Sequence, residues 1–300
     1  MEVICSGLNV VDLLISVPAQ VPRGEKTACD QIIIQGGAPA GNAACALAKL
    51  GHETGFLGYF GDNTLSHIAQ TELTKHGVKT DFFINKSAAT PAIAVVEVDD
   101  EGERTVMYSI KNYRQVSPED IDITKIKKAK LLLVDGYDID TNTHLLKIAK
   151  RHGIKSILDL ETSDRKAMIE MIQLATNPIL PLEAAQNLTN KDTAEDCLHE
   201  LIKMTDGQVI ITDGANGSYT LNNGILIHQE AFKTKVVDTT GCGDSFHAAY
   251  ASALLQGKGL EDRLVYASFY ASQVAQHFGG RTFLPDRDFM DEHCPVLNKI

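Results

Sequence analysis

Three hundred residues suffice for one large α/β domain or two smaller ones, with a sizeable core either way. The 28 Lys and Arg stand against 39 Asp and Glu, and a formal net charge of -11 excludes a general nucleic-acid binder while permitting a local anion site. Six scattered cysteines (Cys5, Cys29, Cys45, Cys197, Cys242, Cys294) show no Cys-x-x-Cys and no histidine at zinc spacing, so they read as reduced thiols of a cytoplasmic protein.

The first apolar run, Val3 to Leu8, reads as a short strand rather than a signal peptide, and nothing downstream approaches the length of a membrane span. Ala43 to Leu50 reads as a small-residue helix stopped by Gly51, Thr54 to Tyr59 as a strand, and Leu65 to His76 as a helix stopped by Gly77. Leu131 to Val134 is a strand, Asn142 to His152 a helix, and Ser156 to Leu160 a strand. Helices near Arg165–Leu174 and Thr193–Met204 flank another apolar piece before a strand from Val209 to Thr212. Strands separated by helices predict a mostly parallel sheet with helices on both faces, in one core domain. Residues 13–35 and 86–112 break the alternation. They show period-2 patterning without helices, around Ile15, Val17, Ile32 and Ile34, then over Ala92–Val98 and Arg104–Ile110 about the turn Asp99-Asp100-Glu101-Gly102. They predict a small separate sheet, the alternative being strands that extend the main one.

The most informative segment is Asp238-Thr239-Thr240-Gly241-Cys242-Gly243-Asp244. It follows Val236-Val237 and precedes Phe246, Ala249, Tyr250, Ala253 and Leu254, which recur at helical spacing up to Gly257. A Gly-rich loop that opens a helix leaves backbone N–H groups without intrahelical partners, and the helix dipole adds partial positive charge, so the place suits a phosphate. Asp244 at its mouth suits a base that takes a proton from an attacking hydroxyl. A simple turn with Asp244 as an N-terminal charge would carry the same residues. Gly36-Gly37-Ala38-Pro39-Ala40-Gly41-Asn42 also leads from a strand into a helix, and Asp12 lies just beyond the first strand. Ligands of open parallel sheets bind at the carboxyl ends of strands, where Asp12, Gly37 and Asn42 would converge on a polyhydroxylated molecule. Thr212-Asp213-Gly214-Ala215-Asn216-Gly217 follows a strand and is loop-like, with room for a phosphorylated or flat ligand.

In order and spacing these three segments resemble the signatures of the ribokinase/PfkB family of sugar kinases over nearly the whole chain. Val236–Asp244 and Gly279-Gly280-Arg281 before Pro285-Asp286 look most like the ketohexokinase, fructokinase and sulfofructose kinase branch. The resemblance implies one ribokinase-like domain over residues 1–300, a three-layer α/β/α core with a β-sheet lid drawn from 13–35 and 86–112. It implies ATP as donor and Mg2+ as helper. Asp244 would be the catalytic base, with Gly241, Cys242 and Gly243 as the anion hole. Asp12, Gly36, Gly37, Asn42 and Asp135 would contact the sugar, and Thr212, Gly214, Gly217 and Gly243 the nucleotide. Glu183 would act on Mg2+ through water, while Asp238, Thr240 and Gly279 would hold a monovalent cation such as K+. Two departures stand out: Leu180 replaces the family's Asn three residues before Glu183, and Phe283 replaces a Ser near the cation. Uncharged Ala38-Pro39 favours an unphosphorylated sugar such as fructose, whereas Arg104, Lys111 and Arg114 near the lid would suit an anionic one. Tyr108 and Tyr113 are the stacking residues a nucleoside kinase of this fold would need; a non-catalytic sugar sensor would have lost Asp244. No Gly-x-Gly-x-x-Gly follows the first strand, which argues against a dinucleotide dehydrogenase. A small sheet with one covered face predicts a homodimer formed through the lid.

Overall fold

A computed structural model describes residues 1–17, 23–24, 26–161 and 164–295; residues 18–22 and 25 of the expected lid segment lie outside these. The chain opens with β1 (Val3–Ser6), β2 (Val10–Ser16), β3 (Ile32–Gly37), α1 (Pro39–Lys49), β4 (Thr54–Phe60), α2 (Thr64–Lys75) and β5 (Phe83–Asn85). It continues through β6 (Ala92–Val98), β7 (Arg104–Ser109), α3 (Ile123–Ile126), β8 (Leu131–Asp135), α4 (Ile139–His152), β9 (Lys155–Asp159) and α5 (Arg165–Leu174). Then come β10 (Asn177–Pro181), α6 (Leu182–Thr189), α7 (Ala194–Leu201), β11 (Ile210–Thr212), β12 (Ser218–Asn222) and β13 (Ile225–Gln229). Three helices close it, α8 (Cys242–Leu255), α9 (Leu260–Val274) and α10 (Arg287–His293).

The large sheet has the order β13-β12-β11-β10-β9-β8-β1-β4-β5, parallel from β11 to β5 with an antiparallel hairpin at the other edge. Its central strands are buried on both faces, as the apolar run of β8 requires. One face packs against α1, α8 and α9 through Ala43, Leu47, Phe246, Ala249, Tyr250 and Tyr270. The other packs against α4 to α7 through Leu145, Ile148, Met171, Ala185 and Leu198. Small residues along α1 and α8 let these helices lie close to the sheet. The result is three layers, as the alternation of strands and helices predicts.

β3-β2-β6-β7 form a second sheet, in which β2 and β6 run parallel and the outer pairs antiparallel. The turn between β6 and β7 closes where Asp99 Oδ1 accepts the N–H groups of Glu101 and Glu103. Cross-strand partners share a face. Leu14, Val96 and Val98 therefore point inward with Asp12, while Leu13, Ile34, Val95 and Met107 point outward.

Several boundaries shift from the sequence expectation. β1 stops at Ser6, and Asp12 lies inside β2, not in a loop after the first strand. The β12–β13 hairpin, α6, α9 and α10 carry no clear sequence signal. α9 is buried on most of its circumference, so no single apolar stripe marks it.

Candidate active site

Asp135, Asp159, Pro181 and Thr212 end successive parallel strands, so their loops line one edge of the large sheet. Against that edge α8 presents its N-terminus. Gly241 caps the helix with φ 76°, a conformation that disfavours any residue with a side chain, and a Cβ there would lie 2.9 Å from Gly280 Cα. Gly243 is exposed, with open space on its Cα, and Asp244 is half-buried beside it. The first-turn N–H groups of Gly243 and Asp244 have no intrahelical partner, which leaves an open cradle for an anion. Cys242 closes one side, and burial pushes its thiol up to about 12, so it is neutral there.

Asp238 pins the loop from within. Its carboxylate is fully buried, Oδ1 accepting from Thr240 N (2.7 Å) and Oδ2 from Gly279 N (2.7 Å). That ties the cradle to residues 279–281 and brings the three expected cation residues together. The Thr240 hydroxyl is buried with no hydrogen-bond partner.

The second half of the site comes from β2, β3 and α1. Asn42 Nδ2 donates to Asp244 Oδ2 (2.6 Å), while its Oδ1 accepts from Arg281 Nε (2.6 Å). Arg281 also donates from Nη2 to Gly37 O (2.8 Å) and is itself buried. The guanidinium lies where a Cβ on Gly36 or Gly41 would be, and the Asp12 carboxylate where a Cβ on Gly37 would be. The double glycine thus makes room for two opposite charges. Burial pushes the Asp12 carboxyl up to about 6, with Arg281 pulling it down and Asp244 adding to the rise.

Arg104 reaches from β7 to the cradle, where Nη1 donates to Thr239 O (2.7 Å) and Oγ1 (3.3 Å). Lys111 and Arg114 line a cavity of about 310 Å³ with Ala88, Thr90, Asn112 and Tyr113. Asp135 lies beneath the site and fully buried: Oδ2 accepts from Leu8 N, and Oδ1 from Tyr137 N and Asn142 Nδ2. Both of its oxygens accept hydrogen bonds from the protein. Thr212 opens a tight turn through Gly214–Asn216, exposed at the sheet edge, and Glu183 is exposed at the start of α6. Arg281 and His247 went unassigned from sequence. Gly279-Gly280-Arg281 marked the place, but the partners of Arg281 are more than two hundred residues away.

The profile of the pfkB family carbohydrate kinases matches residues 3–287. The chain belongs to that family. It is thus an ATP-dependent carbohydrate kinase. The kinase is 27% identical over 276 residues to 5-dehydro-2-deoxygluconokinase of Halalkalibacterium halodurans, covering 83% of this chain and 82% of that one. It is 23% identical over 304 residues to deoxyribokinase of Salmonella typhi, covering 99% of each. A putative ribokinase from Agrobacterium tumefaciens superposes with a TM-score of 0.87 at 25% identity, over 97% of this chain and 96% of that one. Ribokinase of Arabidopsis thaliana, complexed with ribose and ATP, has the same fold with a TM-score of 0.83 at 24% identity, over 97% of each chain. Among the described residues, no helix is long and apolar enough to cross a membrane.

With Asp12 as a sugar ligand, its raised carboxyl predicts a pH dependence. As pH falls through about 6, Asp12 takes up a proton and ceases to be a charged acceptor. The Michaelis constant for the sugar is expected to rise below that point, towards about tenfold per pH unit, and to level off above it. Initial rates at saturating ATP across that range check this; a constant value throughout would remove Asp12 from sugar binding.

Proposed function

We propose that this kinase phosphorylates a free ketohexose such as fructose, with Asp244 as general base. The observation that carries the reading is the single polar chain Arg281–Asn42–Asp244, which sets a carboxylate between the buried Asp12 and an open N–H cradle. Asp12, Gly36, Gly37 and Asn42 hold the sugar hydroxyls. Asp244 takes the proton of one hydroxyl as its oxygen forms a bond to the γ-phosphorus of ATP, and the bond to the β–γ bridging oxygen breaks to release ADP. The Gly241-Cys242-Gly243 turn shapes the anion hole, and its free donors are the N–H groups of Gly243 and Asp244, the Cys242 N–H being bonded to Thr239 O. Thr212, Gly214, Gly217 and Gly243 flank the nucleotide.

Mg2+, when bound, would neutralise charge on the phosphate oxygens. Among the described residues no cluster of three His, Cys, Asp or Glu side chains forms an ion site, so Glu183 would serve it jointly with the nucleotide. For K+ the unpartnered Thr240 hydroxyl fits as a ligand beside Asp238 and Gly279, whereas both Asp238 carboxylate oxygens are already satisfied by N–H groups.

Residues 1–300 would work as one cytoplasmic kinase domain, with β2, β3, β6 and β7 as its lid. The outward face of that sheet leaves Ile32, Ile34, Ile93 and Met107 between 43% and 59% exposed, an apolar surface suited to a second copy of the chain. A homodimer through the lid is therefore expected at micromolar concentration by light scattering, and a strict monomer would refute it.

Substrate class is tested by ATP consumption with ketoses, aldoses, sugar acids, sugar phosphates and nucleosides, including the sugars for which the relatives are named. Highest kcat/KM with a free ketohexose is expected. Preference for an anionic sugar would instead point to Arg104 or the Lys111–Arg114 cavity. A nucleoside kinase is the second reading, because Tyr108 lies in the same cross-strand row as Asp12 with only Ala94 between them.

A further inference from the structure

Under the cradle lies a buried pair that phosphoryl transfer does not directly use. His247 sits one turn into α8 and Asp159 ends β9, each 3% exposed. His247 Nδ1 is 2.6 Å from Gly243 O and 3.3 Å from Asp159 Oδ2. A carbonyl oxygen can only accept, so Nδ1 carries the proton and donates it to Gly243 O, while Asp159 Oδ2 lies close by without a hydrogen bond of its own. Burial holds the imidazole below its ordinary range, so it is neutral. Burial also raises the Asp159 carboxyl, and the nearby Asp244, Glu161 and Asp135 add to that rise.

Simple packing would not choose these residues. His247 Nε2 is buried with no hydrogen-bond partner, a desolvation cost that a leucine would avoid. What the histidine adds is a second hold on the Gly243 carbonyl, beyond the N–H bond of the helix itself. The Gly243 carbonyl and the Asp244 N–H belong to one planar trans peptide and point in opposite directions. Fixing the carbonyl from below therefore fixes the direction of the N–H above, and with it the backbone that carries Asp244. Asp159, at the end of β9, packs against the same imidazole edge at 3.3 Å.

We propose that His247 is a positioning residue for phosphoryl transfer, clamping the Gly243 carbonyl so that the Asp244 N–H faces the transferring group. The inference rests on the reading of this loop as the anion hole. Preorganised donors act in the transition state more than in the ground state, so the signature is a loss of kcat with little change in binding.

Three variants separate the clamp from packing. His247→Asn keeps a donor near the Nδ1 position, His247→Gln moves it towards Nε2, and His247→Leu removes it. His247→Leu and His247→Gln are expected to lower kcat by about ten- to a hundredfold, with the sugar KM within about threefold, and His247→Asn to recover most of the loss. Calorimetry with ADP, Mg2+ and aluminium fluoride, which mimics the transferring phosphoryl group, gives a readout that needs no sugar. His247→Gln should weaken that complex about tenfold while leaving ADP alone unaffected. If the wild-type protein consumed ATP with no sugar, the functional reading would fail, yet the calorimetry would still decide the role of His247. Equal behaviour of His247→Asn and His247→Gln, or a loss of melting temperature without loss of kcat or of the fluoride complex, would overturn the proposal.

Discussion

Asp244→Asn is expected to lower kcat by at least about a hundredfold while leaving sugar and ATP binding within a few-fold of wild type. The carboxylate stands at the mouth of the α8 cradle and accepts a 2.6 Å hydrogen bond from Asn42. An asparagine retains an oxygen for that bond, so the site keeps its shape and loses only its ability to accept a proton. Steady-state kinetics with separate ATP and sugar titrations read this directly. A kcat within a few-fold of wild type would mean that another group deprotonates the hydroxyl.

Arg281→Met should be the most damaging change outside the motif loop. It removes the donors to Asn42 Oδ1 and Gly37 O and strips the counter-charge from the buried Asp12. Each hydrogen bond to a charged group contributes about 1.5–3 kcal/mol, so a fall in melting temperature on the order of 6–10 °C is expected. kcat/KM for the sugar should fall by about a hundredfold, because Asn42 and Asp12 both lose their orientation. Lysine offers a single point donor and cannot span both acceptors, so Arg281→Lys should rescue little of either loss. Calorimetric melting together with sugar kinetics tests both halves; a normal melting temperature with normal kinetics would show that the guanidinium is dispensable.

What the chain reveals of itself before folding divides along physical lines. The parallel core was legible because buried strands such as Leu131–Val134 are continuous apolar runs and helices such as Leu65–His76 end at glycine. The Asp238–Asp244 loop was legible as a helix start because its glycines stand between an apolar run and residues at helical spacing. The small sheet was legible as period-2 patterning. Its topology was not, because nothing local says that β2 and β6 pair in parallel. Asp135 was named at the sugar only through the family resemblance; its bonds to Leu8, Tyr137 and Asn142 are made by the fold and could not be read from spacing. Arg281 could not be assigned because its meaning depends on Gly36, Gly37 and Gly41 leaving space for it. His247 reads in sequence as one more residue of a helix, and only its burial against Asp159 and Gly243 sets it apart.

The most direct measurement is phosphorus NMR of the purified protein incubated with ATP, Mg2+ and the best sugar of the panel, alongside Asp244→Asn. The expected result is a sugar phosphomonoester signal that grows in one-to-one ratio with ADP in the wild type and is nearly absent in the variant. Formation of ADP with inorganic phosphate alone, or equal sugar phosphate from both proteins, would contradict phosphoryl transfer to a sugar with Asp244 as its base.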